Sequence, residues 1–212
     1  MFGISVTLLS IPVAAYLLGS IPFGVVLAKL FADADVRKAG SGNIGATNVA
    51  RVVGPVAGVL TLLLDGAKGA AAVLLAARLS EDSATWMMIA GLAALLGHCY
   101  SIWLNFKGGK GVATAAGVFL VLSAISALLS ILLFVLVTAF SRFVSLGSIA
   151  AAAAMPLLIY LLWAPHHAPP PAITFGALMA ALLIIYKHDA NIQRLVQGDE
   201  PKFSFGKKKS DE

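Results

Sequence analysis

Charged residues are scarce in this 212-residue sequence: Asp, Glu, Lys and Arg make up 12% of the chain, whereas hydrophobic residues make up 59%. Soluble globular domains carry about 25% charged residues. A chain with a mean hydropathy of +0.92 has too few polar groups to cover a surface that faces water. The composition therefore excludes a water-soluble enzyme and an intrinsically disordered protein, and it indicates an integral membrane protein.

Cysteine is almost absent as well. Cys99 is the single cysteine, which excludes an intrachain disulfide and a cysteine-based zinc site. The four histidines lack the spacing of a known zinc motif, so we expect neither a bound metal nor a cofactor. The first twenty residues contain no Lys or Arg, unlike the start of a cleavable signal peptide, and we expect them to remain as a first span.

Long apolar runs fill most of the chain. A helix that crosses the hydrocarbon core needs about 20 apolar residues. Six stretches meet or approach this length: 4–28, 54–77, 84–104, 112–140, 144–163 and 172–187. The run over 112–140 is long for one span and short for two, so its length alone leaves both arrangements open.

The placement of the basic residues favours two short helices over 112–140, with a turn near Ser123 or Ser126. The sequence is then predicted to form an all-α polytopic membrane protein with seven transmembrane helices, the N-terminus outside and the C-terminus cytoplasmic. Of the fifteen Lys and Arg residues, only Arg78 is then outside and only Lys68 is within a span, in agreement with the positive-inside rule. The thirteen cytoplasmic basic residues are Lys29, Arg37, Lys38, Arg51, Lys107, Lys110, Arg142, Lys187, Arg194, Lys202, Lys207, Lys208 and Lys209.

The first cytoplasmic connection contains GSGNIGATN over residues 40–48, followed by Arg51. Glycines permit close backbone approach, and their N–H groups can form an anion-binding loop. Hydroxyl and amide side chains add donors, and the guanidinium adds a fixed charge suited to phosphate. The alternative is a flexible connector that caps the next helix. The candidate ligands here are Ser41, Gly42, Asn43, Thr47, Asn48 and Arg51.

The second cytoplasmic connection contains FKGGKGVAT over residues 106–114, which has the composition of a phosphate-binding loop at the start of a helix. Its spacing differs from a Walker A motif. A positively charged turn is the alternative, and it explains the lysines but not the three glycines. Ser141 and Arg142, at the inner end of the fifth span, are a third candidate, with a topology charge as the alternative. The candidate ligands in the second connection are Lys107, Gly108, Gly109, Lys110, Gly111 and Thr114.

The last cytoplasmic segment places His188, Asn191 and Arg194 three residues apart, roughly on one helix face, and Glu200 follows. An amphipathic helix at the membrane surface is the alternative, although such a helix requires neither His nor Asn.

Within the second span, Asp65 and Lys68 form an ionisable pair that is either functional or mutually neutralising. We expect His98 to be a packing or supporting residue rather than a ligand.

These polar motifs share one membrane face and supply more cationic groups than one bound phosphate needs, which suits two substrates that both carry phosphate. The lack of an Asp/Glu cluster for Mg²⁺ argues against nucleotide-driven phosphoryl transfer. A small transporter for phosphate or organophosphate is the main alternative. The one-sided motifs and the lack of an inverted repeat count against transport, and a membrane scaffold leaves the glycine loops unexplained.

Five motifs occur in this order: GSGNIGATN before Arg51, LLLDGAKG over 62–69, GHCYSIWLNFKGGKGVATAAG over 97–117, SRFVSLGSI over 141–149 and HDANIQRLVQGDE over 188–200. In these motifs, and over about residues 4 to 201, the chain resembles the bacterial membrane glycerol-3-phosphate acyltransferases that use acyl-phosphate as donor. The resemblance implies a single acyltransferase domain over 1–201 in the bacterial cytoplasmic (inner) membrane, with its active site facing the cytoplasm. Residues 202–212 are then a basic, flexible cytoplasmic tail.

The resemblance also implies transfer of a fatty acyl group to the 1-hydroxyl of sn-glycerol 3-phosphate, which gives lysophosphatidic acid and inorganic phosphate. It implies no cofactor, no nucleic acid and no stable protein partner, with acyl-phosphate supplied by the enzyme that forms it. Arg51, Lys110 and Arg142 are expected to hold phosphate, with Ser141 beside them. The implied catalytic residues are Ser41, His188, Asn191 and Glu200.

Overall fold

The computed structural model describes residues 6–163 and 170–202, and this part of the chain contains ten α-helices and a short 3₁₀ turn over Ile102–Leu104. Most of the predicted tail over 202–212, including its three consecutive lysines, lies outside the described residues. The helices are α1 (Val6–Ser20), α2 (Phe23–Ala32), α3 (Ala46–Val52), α4 (Pro55–Leu79), α5 (Ala84–Cys99), α6 (Val112–Leu122), α7 (Ala124–Ser141), α8 (Val144–Trp163), α9 (Pro171–Tyr186) and α10 (Asp189–Gln197).

Five helical stretches are long and apolar enough to cross a membrane: Leu8–Ala32, Pro55–Leu79, Ala84–Leu104, Ala124–Ser141 and Val144–Trp163. A sixth is present if α9 and α10, which meet at 56°, are one broken span. Helix α6 is apolar but has only 11 residues. The prediction of an all-helical integral membrane protein is therefore confirmed for the described part of the chain.

The first apolar stretch is a broken helix rather than the continuous one predicted over 4–28. Helix α1 ends at Ser20, and α2 begins after Pro22. Proline has no backbone N–H and its ring crowds the preceding turn, so it interrupts the helical hydrogen-bond ladder. The break leaves backbone groups of Ile21 and Pro22 outside regular helix, within an apolar stretch.

The 112–140 run is interrupted at Ser123, where the charge pattern predicted a turn. Helix α6 ends at Leu122 and α7 begins at Ala124. Val112 and Phe134 lie equally far along the chain from Ser123 and border the same cavity, so the two helices run back alongside each other. The prediction of two helices in this run is confirmed.

Apolar side chains cover the outside of the bundle as well as its centre. Leu95, Phe119 and Ile159 are fully buried, whereas Ile125 and Leu132 of α7 are more than half exposed. Such extensive exposed apolar surface is incompatible with water and is suited to lipid.

Glycine allows α4 and α6 to approach closely. A Cβ added at Gly117 would lie 1.9 Å from the carbonyl oxygen of Gly66, and one added at Gly69 would lie 2.2 Å from the carbonyl oxygen of Thr114. Small residues permit this backbone contact between membrane helices. The contact fixes the start of α6 beside the middle of α4.

Candidate active site

A polar cavity of about 470 Å³ opens at one end of the bundle, where separate parts of the chain meet. The connection before α3, the end of the loop before α6, the start of α8, and α10 with the residues after it form most of the wall. The three connections that are predicted to share one membrane face therefore surround one cavity. Its polar side chains are Ser41, Asn43, Thr47, Asn48, Arg51, Asp65, His98, Lys110, Ser145, Ser148, His188, Asn191, Arg194 and Glu200.

Asn48 fixes the first glycine-rich connection. Its buried side-chain amide donates to the carbonyls of Val36 (2.9 Å), Ala39 (3.0 Å) and Asn43 (2.8 Å). Its Oδ1 accepts a hydrogen bond from the backbone N–H of Ser41 at 2.8 Å. These contacts hold the connection against the start of α3 and place Ser41 at the cavity wall.

Lys110 joins the second glycine-rich connection to α10. Its Nζ donates to Oδ1 of Asn191. Burial lowers the pKa of Lys110 to about 8, because the ammonium group loses hydration. The next residue, Gly111, has a left-handed φ of 83° and precedes the first turn of α6, which also borders the cavity. A lysine and a helix N-terminus are thus brought together at one side of the cavity, an arrangement suited to an anion.

His188 lies in the turn between α9 and α10 and is 2% exposed. Its Nδ1 is 2.7 Å from the carbonyl oxygen of Ile184, and because a carbonyl can only accept, Nδ1 carries the proton. Burial lowers the pKa of His188 to about 4, so the imidazole is neutral at physiological pH. In this tautomer Nε2 is an unprotonated acceptor, as a general base requires.

Glu200 ties the segment after α10 to two helices. Its Oε1 accepts hydrogen bonds from Ser145 Oγ and Asn191 Nδ2, both at 2.6 Å, and its Oε2 accepts one from Arg194 Nε at 2.8 Å. Burial alone would raise the pKa of Glu200, but these three hydrogen bonds outweigh burial and hold the pKa below its ordinary value. Through Asn191, the carboxylate is linked to Lys110.

An apolar groove of about 610 Å³ adjoins the polar cavity. Helices α4, α6, α7, α8 and α9 line it, and almost all of its side chains are apolar. The residues that border both spaces are Leu62, Val112, Ala113, Phe134 and Ser148. We call this shared set the neck, because it connects a polar compartment to an apolar one.

Several predicted ligands lie away from the cavity wall. Arg142 is an exposed residue in left-handed conformation at the end of α7, and Ser141 donates its hydroxyl back into the last turn of that helix at 2.6 Å. Lys107 is exposed in the loop, and Thr114 of α6 is fully buried against α4. The assignment of these residues as substrate ligands stays a prediction. The predicted residues that do not border the cavity are Gly42, Lys107, Gly108, Gly109, Thr114, Ser141 and Arg142.

Some residues at the cavity were not proposed as ligands from the sequence. Ser145 and Ser148 of α8 lie one helical turn apart, and Arg194 lies on the polar face of α10 that was predicted to carry His188 and Asn191. Serine in an apolar span is too common to indicate a site by itself, whereas the spacing of Arg194 was a usable signal. Asp65 and His98 also border the cavity.

The model of the glycerol-3-phosphate acyltransferase family matches residues 9–198. A protein of that name from Syntrophotalea carbinolica is 49% identical over 190 residues, which cover 90% of this chain and 94% of the relative. Another from Desulforamulus reducens is 44% identical over 207 residues, which cover 98% of this chain and all of the relative.

Two crystal structures of PlsY (YgiH), an integral membrane glycerol 3-phosphate acyltransferase, share the fold at 43% sequence identity and cover 93% of this chain. The glycerol 3-phosphate form gives a TM-score of 0.85 and is covered over 96% of its own chain. The lysophosphatidic acid form gives 0.83 and is covered over 95%. The present chain is therefore a member of the integral membrane glycerol-3-phosphate acyltransferase family.

Proposed function

We propose that this protein transfers a fatty acyl group from acyl-phosphate to the 1-hydroxyl of sn-glycerol 3-phosphate. The products are 1-acyl-sn-glycerol 3-phosphate and inorganic phosphate, in the first step of phospholipid biosynthesis. The main support is the neck, where a cavity lined by Arg51, Lys110 and Arg194 meets an apolar groove. Such a junction brings a water-soluble phosphate ester to the head of a lipid-soluble donor.

The two substrates are assigned to the two compartments by their chemistry. The phosphate of glycerol 3-phosphate binds Arg51, Lys110 and the N-terminal turn of α6. Ser41, Asn43 and Thr47 supply further donors from the first connection. The hydrocarbon chain of the donor lies in the apolar groove, where its transfer from water is favourable by about 0.8 kcal/mol per CH₂ group. The acyl carbonyl then lies at the neck.

The proposed reaction is a direct transfer. The 1-hydroxyl oxygen attacks the acyl carbonyl carbon, a new ester C–O bond forms, and the bond from the acyl carbon to the phosphate oxygen breaks. Nε2 of His188 accepts the hydroxyl proton, and inorganic phosphate leaves with the bonding electron pair. Acyl-phosphate is an activated mixed anhydride, so proximity and fixed positive charge supply most of the remaining acceleration. An acyl-enzyme trapped on Ser41 would overturn direct transfer.

Three residues predicted as catalytic or binding groups are assigned positioning roles instead. The polar atoms of Asn48 are engaged within the first connection. Asn191 and Glu200 form a relay that orients Lys110. The contacts of Glu200 support a role in orienting the loop lysine through Asn191. Lys107 and Arg142, which lie outside the cavity, are assigned to the cytoplasmic membrane surface.

We further propose seven membrane crossings, with the N-terminus outside and the C-terminus cytoplasmic, and one domain over 1–201. The crossings are α1 with α2, then α4, α5, α6, α7, α8 and α9. The break at Ser123 and the clustering of cationic connections at one end support this topology. The site then faces the cytoplasm of a bacterial inner membrane, where acyl-phosphate arrives from the enzyme that forms it without a stable complex.

Donor competition tests the function. Protein purified in detergent, supplied with glycerol 3-phosphate and equal amounts of palmitoyl-phosphate and palmitoyl-CoA, is expected to release one phosphate per lysophosphatidic acid and to leave the CoA ester intact. Lys110→Gln is expected to raise KM for glycerol 3-phosphate by about a hundredfold while retaining measurable transfer, whereas the matched variant Arg142→Gln, altered outside the cavity, is expected to match the wild type. Absence of transfer together with phosphate uptake into sealed vesicles would establish transport instead.

The affinity for glycerol 3-phosphate is expected to fall in alkaline solution. Lys110 is charged below its pKa of about 8 and loses its proton as the pH rises through that value. The second ionisation of a phosphate ester, near pH 6, is already complete. We therefore expect KM for glycerol 3-phosphate to be constant at pH 6.5–7.5 and to rise about tenfold per pH unit above 8.

Lys110→Arg provides the control for this pH dependence, because a guanidinium stays charged throughout the range. Its KM is expected to stay level to pH 9.5, after correction for spontaneous hydrolysis of the donor. The same alkaline rise in both proteins would assign the titration to another group.

A further inference from the structure

Asp65, Lys68 and His98 form a charged cluster between α4 and α5, and each is at most 4% exposed. Lys68 Nζ lies 2.8 Å from Asp65 Oδ1, and His98 Nδ1 lies 3.6 Å from the same oxygen. Ionisable groups at this depth are costly unless they are paired. The cluster has no part in the transfer chemistry described above.

Lys68 has a structural explanation. Its Nζ donates to the carbonyl of Ile21 at 2.8 Å and lies 5.7 Å from the centre of the Phe23 ring. The ammonium therefore satisfies a backbone group at the break that Pro22 introduces between α1 and α2. Asp65 neutralises that charge, but this pairing does not require His98 or a position at the cavity.

His98 supports the second glycine-rich connection. Its carbonyl accepts a hydrogen bond from Gly109 N–H at 3.0 Å, and the neighbouring Cys99 carbonyl accepts one from Gly108 N–H at 3.1 Å. The ring lies against the same loop, because a Cβ added at Gly109 would be 2.2 Å from Nε2 of His98. Gly109 thus lets the backbone rest directly on the imidazole.

The residue after this contact is Lys110, whose Nζ donates to Asn191. Because Gly109 lies directly against the His98 ring, the position of the ring also limits where the backbone of Lys110 can lie. Among the described residues the buried Nδ1 of His98 has no hydrogen-bond partner, and the Asp65 carboxylate lies 3.6 Å from it, within reach of an electrostatic contact.

We propose that Asp65 and His98 are positioning residues that set the place of Lys110 in the glycerol 3-phosphate pocket, an inference that rests on the proposed function. Asp65 orients the His98 ring, the ring supports the backbone of Gly109, and Gly109 in turn fixes the backbone position of Lys110. A displacement of about 1 Å at a binding group can cost about a hundredfold in rate. The Asp65–His98 pair thereby links the interior of the bundle to the substrate phosphate.

A double-mutant cycle tests this link. Asp65→Asn is expected to raise KM for glycerol 3-phosphate by about ten- to a hundredfold, with KM for palmitoyl-phosphate changed by less than about twofold. In a Lys110→Gln background, Asp65→Asn is expected to have almost no further effect on KM for glycerol 3-phosphate, because the lysine through which it acts is gone. Additive effects in the two backgrounds, or an unchanged KM in the single variant, would overturn the inference.

Gly109→Ala provides a second route, because it moves the His98 ring without removing the partner of Lys68. We expect Gly109→Ala to raise KM for glycerol 3-phosphate in the wild-type background and to have almost no further effect on this KM in the Lys110→Gln background. This test stays possible even if Asp65→Asn fails to fold. Thr61→Ala, a buried change one turn from Asp65, is the matched control and is expected to leave KM for glycerol 3-phosphate unchanged. If the wild-type protein has no transfer activity, the proposed function is wrong. If the wild-type protein is active but the effects of the two substitutions on KM for glycerol 3-phosphate are additive, only this inference is wrong.

Discussion

The His188→Gln variant is expected to keep its fold and its affinity for both substrates while kcat falls about 10²–10⁴-fold. Glutamine can still donate to the Ile184 carbonyl, but it cannot accept a proton from the attacking hydroxyl. Burial lowers the pKa of His188 to about 4. Two bound phosphates favour the imidazolium and raise that pKa toward the working range. Single-turnover measurements of lysophosphatidic acid formation separate the chemical step from binding.

Asp189→Asn is the matched control for His188→Gln, because Asp189 is the next residue and its side chain is exposed and bonded only to Gln193 in the described contacts. This variant is expected to retain kcat within about twofold, as surface substitutions usually do. Near-normal turnover in His188→Gln, with both substrates still bound, would assign the proton to a phosphate oxygen of the substrate instead.

Removing the carboxylate of Glu200 is expected to cause the second large loss. In Glu200→Ala the donors of Ser145, Asn191 and Arg194 lose their common acceptor, and each buried unsatisfied donor costs about 1–3 kcal/mol. Asn191 then no longer holds Lys110, so we expect kcat/KM for glycerol 3-phosphate to fall about a hundredfold. Steady-state kinetics and the thermal unfolding midpoint in detergent measure the two effects.

Asp199→Asn is the control for Glu200→Ala, since Asp199 is an adjacent but exposed carboxylate. Both its activity and its unfolding midpoint are expected to match those of the wild type. Glu200→Gln is expected to fall between the two, because its amide oxygen still accepts a hydrogen bond while its NH₂ group opposes the Arg194 guanidinium. Full activity in Glu200→Ala would contradict the proposed relay to Lys110.

The helical architecture could be predicted from composition and from the positions of the basic residues. The break at Ser123 lies in a run whose length allowed one span or two, and the positive-inside rule selected the two-helix arrangement. The glycine-rich motifs around Ser41 and Lys110 were likewise predicted to lie at a site, because glycine, hydroxyl and cationic residues at a helix start are typical of anion binding. The charge pattern and the glycine-rich motifs depend on residues that are close together in the chain, so they can be identified from the sequence alone.

Contacts between distant segments could not be predicted in this way. Ser145 and Glu200 are separated by 55 positions, and their hydrogen bond depends on how α8 packs against the segment after α10. Arg142 was predicted as a phosphate ligand from its charge and its position beside Ser141. Its left-handed backbone at the end of α7 places it away from the cavity wall. Hydrophobic periodicity does not specify which way such a helix end turns.

The neck has a consequence for how the reaction rate depends on concentration. In the proposed reaction the groove behind the neck, which is lined by apolar helices, receives the donor from within the lipid layer, while glycerol 3-phosphate and inorganic phosphate exchange with water. The effective donor concentration is then a number of molecules per unit area of membrane rather than per unit volume. Added inert lipid or detergent dilutes the donor in two dimensions, and it slows turnover even when the total amounts of both substrates are held constant.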